Sequence, residues 1–276
     1  MTRLLSLAHL TAIDLAPPDL IHAAADAGLD AVGLRLRRVT PSSPGYPLVD
    51  DPALMRATRA ALRDTGLAVH DVEFVRIEPD TDPETLIPLL DAGAALGAHE
   101  VIAAPYDPDL SRLSDRLGAL ADLAGARGLG VSLEFFPWTV VPTLEAAVAL
   151  VERAGPRVGL LPDSLHFDRS GSRHETLAAL PAQRLRFAHL CDAPVNPPYD
   201  EEALLFAARA ERLPPGRGGI DLARFLAAMP PDLPLGLEVP QTTRMAQIGA
   251  AAVIRETAQA ARAFLAALPD QDRTKP

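Results

Sequence analysis

Four segments of this chain end an apolar run on a residue able to hold a metal ion or carry a proton. VSLEFFP delivers Glu134, GLLPDSLH delivers Asp163, FAHLCD delivers His189 and LGLEVP delivers Glu238. Each has an ordinary reading on its own. An acid after a strand commonly caps the next helix, and a histidine there is commonly just packed and hydrogen-bonded. Together they read differently. Three carboxylates crowded beside one imidazole repel one another in a half-buried mouth, so something positive must neutralise them. A divalent cation is the simplest such group, and three oxygen donors with one nitrogen suit Mn, Mg, Co or Zn.

Other polar residues fall around this set. His166, three past Asp163, is expected beside the ion, holding a substrate oxygen. Asp192, three past His189, is expected to accept the far ring N–H of that histidine, as outer carboxylates do for metal-binding imidazoles. Arg209 and Arg212 lead into the turn RLPPGRGGID, and their planar forks suit a carboxylate, a phosphate or a polyol. His9, Arg35, Glu73, Arg76 and Tyr106 sit in or after earlier apolar runs and are candidates to line the same pocket. Glu73 needs a partner if buried. Arg76 or Arg35 would serve, and substrate contact is the other reading. Phe135, Phe136 and Trp138 gather either as loop packing or as an apolar wall against a sugar or ring.

Elements must bring these residues together. Eight short apolar runs, at 4–8, 31–36, 67–75, 100–105, 130–135, 158–163, 185–190 and 233–239, alternate with longer amphipathic stretches rich in Ala and Leu. Pro17, Pro18, Pro52, Pro83 and Pro142 stand near helix starts, and Gly28, Gly66, Gly97, Gly128 and Gly155 just past helix ends, as helix punctuation requires. Buried strands alternating with helices imply parallel βαβ units. Eight units in 276 residues imply the α/β class and a single (β/α)8 TIM barrel, whose chemistry gathers at the C-terminal strand ends. The expected bounds are 1–268 for the barrel and 269–276 for a disordered tail. A doubly wound sheet lacks its glycine fingerprint after the first strand. Residues 192–218 read as a long active-site loop, and 242–267 as one last helix.

Composition narrows the function further. The formal net charge of −10 and the absence of a Lys/Arg cluster count against nucleic acid as a partner. A single cysteine, Cys191, excludes an internal disulfide and a cysteine-rich zinc site. No long apolar stretch free of charge and proline suggests a membrane span. The start lacks the apolar core of a secretion signal, so a cytoplasmic location is expected.

In order along the chain come Glu134, Asp163-x-x-His166, His189-x-x-Asp192, Arg212-x-x-Pro215-Gly216-x-Gly218 and Glu238. This linked set, over nearly the whole chain, resembles the xylose-isomerase-like TIM-barrel superfamily. That group includes sugar-phosphate isomerases and epimerases, ketose 3-epimerases, hydroxypyruvate isomerase, inosose dehydratases and endonuclease IV. The resemblance implies one divalent metal ion held by Glu134, Asp163, His189 and Glu238. It also implies that Glu134 and Glu238 act as the catalytic acid/base pair, as in the epimerase branch. A keto-sugar or related polyol would then be isomerised or epimerised through an enediolate, with His166 and Arg212 steadying the charge and Arg209, Trp138 and Glu73 as further substrate contacts. Dehydration of the inosose type is the nearest alternative, and a non-catalytic sugar- or metal-binding barrel a more distant one. The endonuclease branch needs more histidines: strand four here ends VIAAPYDP, and no Asp-x-His follows His189. Arg217 stands where the family turn often carries Glu, which puts the substrate in question. A homodimer is the assembly family precedent allows.

Overall fold

The apolar runs fold as eight strands: β1 (Leu5–Leu7), β2 (Ala31–Arg35), β3 (Ala68–Ile77), β4 (Glu100–Pro105), β5 (Gly130–Glu134), β6 (Val158–Leu161), β7 (Ala188–Leu190) and β8 (Leu235–Leu237). The computed structural model describes residues 3–39 and 43–269. The strands are parallel and hydrogen-bonded in the order β6-β5-β4-β3-β2-β1-β8-β7. The two ends of that order meet through isolated parallel bridges, Leu160 to Leu185 and Asp163 to His189. There the His189 N–H donates to the Pro162 carbonyl at 3.0 Å. The sheet is therefore a nearly closed (β/α)8 barrel, as the alternation of apolar and amphipathic stretches implies.

Helix ends follow local chemistry. The helix α1 (Pro17–Asp26) opens on two prolines, and α2 (Pro52–Thr65) begins where the Asp51 carboxylate accepts the Ala53 and Leu54 N–H groups and stops at Gly66 with φ 75°. The helices α3 (Ile87–Ala95), α4 (Leu110–Gly125) and α5 (Leu144–Ala154) complete the first five units. Asp109 caps α4 and Thr143 caps α5 in the same manner. After β6 come the short helices α6 (Ser164–Arg169) and α7 (His174–Ala178).

Strand faces alternate between two interiors. Along β5, Val131 and Leu133 join the large cluster that packs the helices on the barrel, while Ser132 turns inward and donates to Glu100 at 2.9 Å. Ile102, Leu161 and Phe187, with Phe74 against them, form a separate inner cluster. Burying each such side chain is worth roughly 1.5–3 kcal/mol. This plug fills the barrel and forms the floor on which polar residues of the upper strand ends stand.

Two elements differ from the expectation. The stretch 192–218 is not all loop: α8 (Glu201–Arg209) lies within it, capped by Asp200, whose carboxylate accepts the Ala203 N–H at 2.8 Å. The final helix is two, α10 (Thr242–Ile248) and α11 (Ala250–Ala267), because Gly249 sits at φ 81° between them. The helix α9 (Leu222–Ala227) follows the glycine turn. Of the expected tail, residues 270–276 lie outside the described residues.

Asp192 is a correction. Its carboxylate does not reach the His189 ring. It accepts four backbone N–H groups instead, from Ala193 at 2.9 Å, Ile220 at 3.1 Å, Gly216 at 3.1 Å and Gly218 at 2.8 Å. A Cβ on Gly218 would stand 2.4 Å from the Asp192 carboxylate. Glycine at 218 therefore allows the backbone to wrap the acid, and the acid is consumed in shaping that turn. We expect Asp192→Ala to cost about 3 kcal/mol in urea unfolding, because several buried donors lose their acceptor. Ion affinity of the folded variant should stay near that of the parent. A drop of about 10- to 100-fold would instead reveal an outer-carboxylate role on His189.

Candidate metal centre

Neighbouring strand ends deliver the four candidate ligands. Glu134 is the last residue of β5, His189 lies in β7, and Asp163 and Glu238 follow β6 and β8. One donor atom from each lies within 4.8 Å of every other, and all four residues are buried. His189 Nδ1 stands 3.7 Å from Glu134, 3.7 Å from Asp163 and 3.5 Å from Glu238. These are too long for hydrogen bonds. Glu134 Oε1 and both ring nitrogens of His189 have no hydrogen-bond partner among the described residues. Buried polar atoms turned toward one another without a bond are costly unless a cation binds them. Three carboxylate oxygens and an imidazole nitrogen at these separations fit one divalent ion.

Local structure fixes each donor. Asp163 caps α6: its Oδ1 accepts the Leu165 and His166 N–H groups at 2.7 and 3.1 Å. Its other oxygen is thereby left for the cage. The same cap explains the three-residue spacing, which sets His166 in the first helical turn. Gly236 lies opposite His189 in the sheet, and a Cβ there would come within 2.7 Å of the imidazole Cδ2 and 3.2 Å of Nε2. That glycine makes room for the ring, a role with no signal in the sequence.

Arg212 borders the cavity and also grips the cage. Nη1 stands 2.6 Å from Asp163 Oδ2 and 3.4 Å from Cys191 Sγ. Nη2 stands 2.8 Å from Glu238 Oε2, and Nε and Nη2 each donate to the Ala208 carbonyl at 3.1 Å. Four of these contacts are hydrogen bonds, and the approach to Glu238 is an ion pair. Arg212 positions two ligand carboxylates from behind, and burial is nearly complete at 1% exposure.

Charge states follow from this packing. Burial, with the charges of Glu238 and Asp163, pushes the Glu134 carboxyl up to about 8. Glu238 shares the burial, which raises it, but Arg212 and His189 outweigh that and hold it below the usual carboxylate range. Burial lowers His189, yet Glu238 and Glu134 raise it well above its ordinary value. In the ion-free protein a ring proton thus supplies the positive charge the cage needs. Burial lowers His166 to about 4, so its imidazole is neutral.

A cavity of about 270 Å³ opens above the cage, lined by Glu134, Glu238, His166 and Arg212. Trp138, Phe136 and Tyr106 form one wall of it, and Arg35, Glu73, Arg76 and Arg209 also border it. Most of these residues thus stand around one cavity, whereas Asp192, His9 and Phe135 do not line it. Phe135 is buried in the core and takes no part. His166 meets Phe136 and Trp138 edge-on, at 4.8 and 5.2 Å between ring centres. Glu73 has both oxygens engaged, accepting the His9 N–H at 2.6 Å and pairing with Arg35 at 2.5 Å. Arg35 is therefore its partner, and Arg76 pairs with Glu78 at 2.9 Å instead. His9 supports the pair from beneath: its Nδ1 accepts the Arg35 N–H at 2.9 Å.

The xylose isomerase-like TIM barrel family model matches residues 21–266, and the chain belongs to that family. It is 30% identical over 152 residues to an inosose isomerase of Bacillus velezensis, covering 51% of this chain and 52% of that protein. It is 38% identical over 117 residues to a 3-dehydroshikimate dehydratase of Pseudomonas aeruginosa, covering 42% of this chain and 18% of that one. The chain thus spans about half the length, or less, of these curated relatives. Among solved structures it is similar to the IolI protein with a bound zinc atom, at TM-score 0.79 and 19% identity over 97% of this chain and 99% of that one. A D-allulose 3-epimerase from Methylomonas sp. in complex with D-allulose gives TM-score 0.69 and 18% identity over 96% and 97%. At such identities the likeness is one of fold. Among the described residues no helix is long and apolar enough to cross a membrane.

Two outcomes test the cage. Ligands must be deprotonated to bind an ion. Glu134 keeps its proton up to about pH 8, and the neighbouring carboxylates hold the His189 proton well above the ordinary imidazole range. Divalent-ion affinity should therefore rise as pH rises through that range, with proton release on binding seen by calorimetry in buffers of different ionisation enthalpy. Uptake that is independent of pH and releases no proton would contradict this ligand set. Separately, Gly236→Ala should displace His189 and weaken ion binding at least tenfold, while the overpacking lowers stability by about 1–3 kcal/mol.

Proposed function

We propose that this member of the family is a metal-dependent sugar isomerase or epimerase that moves a proton next to the carbonyl of a keto-sugar or related polyol. One observation carries the reading. Of the four cage residues, Glu134 and Glu238 also border the cavity, whereas Asp163 and His189 do not. Two residues hold from behind and two face whatever enters.

A divalent ion held by Glu134, Asp163, His189 and Glu238 supplies Lewis-acid polarisation of a carbonyl. The chain's own groups do the proton work. Glu238, kept ionised by Arg212, is the base that removes the proton from the carbon beside the carbonyl. Glu134 faces the enediolate from the other side, and its carboxylate relays the returning proton. The pair flanks the cage on β5 and β8 ends, which gives the enediolate proton donors from two directions, as inversion at one carbon requires. His166 Nδ1 is buried with no hydrogen-bond partner among the described residues, and it offers a neutral hydrogen bond to a substrate oxygen. Trp138 and Phe136 supply a flat apolar surface for the carbon skeleton.

Dehydration is the second reading, favoured by the 38% identity to a dehydratase. The same proton would be removed, and the hydroxyl one carbon further would leave as water after taking a proton from Glu134, with a carbon–carbon double bond formed. Product analysis by NMR separates the two reactions.

The test of the acid/base assignment is solvent-deuterium exchange into a keto-inositol or ketose. Glu238→Gln, at saturating divalent ion and with ion content verified, should slow exchange at least about 100-fold. Exchange at the parent rate in E238Q would remove Glu238 from the chemistry. Absence of exchange in the parent with every candidate tested would remove the reaction itself.

A further inference from the structure

We propose that the substrate carries one carboxylate and that Arg209 takes it; the inference rests on the proposed reading of the cavity as a polyol site. Charge balance leads to this residue. Within the cavity Glu73 is matched by Arg35 at 2.5 Å, and at its edge Arg76 is matched by Glu78 at 2.9 Å. Arg212 pairs with Asp163 and Glu238. With a divalent ion, Arg212 brings the three cage carboxylates to neutrality. Arg209 remains. It lines the cavity, it is exposed, and its side chain makes no hydrogen bond or ion pair with any described residue.

Its position is nevertheless fixed. Arg209 is the last residue of α8, directly after Ala208. The Ala208 carbonyl accepts both Nε and Nη2 of Arg212 at 3.1 Å. The next residue, Ala210, donates its N–H to Phe206 at 2.9 Å. The backbone that carries Arg209 is therefore tied to the same guanidinium that grips the cage. A side chain set on a rigid frame, at a cavity edge, with an unmatched charge is suited to select an anion. One guanidinium fork matches the two oxygens of one carboxylate, and a single surplus charge matches a monoanion. Without such a ligand, Arg209 would only complement the C-terminal dipole of α8. That role confers no preference among ligands, so binding separates the two.

The experiment compares two inert probes on the ion-loaded protein by calorimetry: quinate, a polyhydroxylated cyclohexanecarboxylate, and its neutral amide. The parent should bind quinate roughly tenfold more tightly than the amide, with the preference shrinking as salt is added. Arg209→Gln should bind both alike, at the affinity the parent shows for the amide, and Arg209→Lys should keep part of the preference. Equal binding of the two probes by the parent, or a preference that survives in R209Q, would overturn the assignment and leave the reaction standing. If neither probe binds while the ion does, the polyol reading falls and this inference falls with it. Thermal melts of R209Q check that this exposed substitution leaves the fold intact.

Discussion

The Arg212 clasp is the interaction on which the site depends. Three carboxylates and an imidazole within 4.8 Å would push apart or take up protons if left to themselves. A buried guanidinium against two of the acids reduces that repulsion before any ion binds. Removing one member of such a buried pair costs roughly 3–5 kcal/mol, because the other is left uncompensated. The arginine is in turn held by the Ala208 carbonyl at the end of α8 and by the sulfur of Cys191. The helix after β7 therefore serves the geometry of ligands on β6 and β8. Burial, joined by the charge of Asp163, raises the Cys191 thiol to about 11 against the lowering effect of Arg212, so it stays protonated as a packing partner of the clasp.

Depth separates the work of the ligands. Asp163 and His189 sit below the cavity lining and Glu134 and Glu238 within it. Beneath them Ile102, Leu161 and Phe187 form an apolar plug inside the barrel. The neighbouring Arg35–Glu73 pair is sealed in the same wall. Desolvation raises Glu73 against the lowering effect of Arg35, and the His9 N–H on its other oxygen leaves it little capacity to accept more. Two carboxylates in one cavity thus differ: each Glu73 oxygen has a partner, while Glu134 keeps one oxygen without a partner among the described residues.

Much of this was legible in the sequence, for physical reasons. Prolines that need no N–H and glycines that tolerate positive φ mark helix limits, and Gly28, Gly66, Gly97, Gly128 and Gly155 all adopt positive φ. Strand-end acids stand out because an apolar run ending in a charge is costly without a partner. What was hidden depends on direction rather than type. Arg212 and Asp192 are both polar residues near a turn, and nothing in the one-dimensional pattern tells that one turns inward to the ligands and the other outward to four amides. Gly236 matters only through its register with His189, a pairing between strands that sequence spacing does not encode. The helix α8 was missed because prolines and glycines on either side of EEALLFAAR outweighed a nine-residue helix with an aspartate cap.

One feature of the barrel joins architecture to chemistry. Among the described residues β6 and β7 meet without a ladder, through the bridges at Leu160–Leu185 and Asp163–His189. Asp163 and His189 stand on opposite lips of that gap. A cation gripped by both would act as a rivet across this seam, tying two staves that the backbone itself joins only at isolated points.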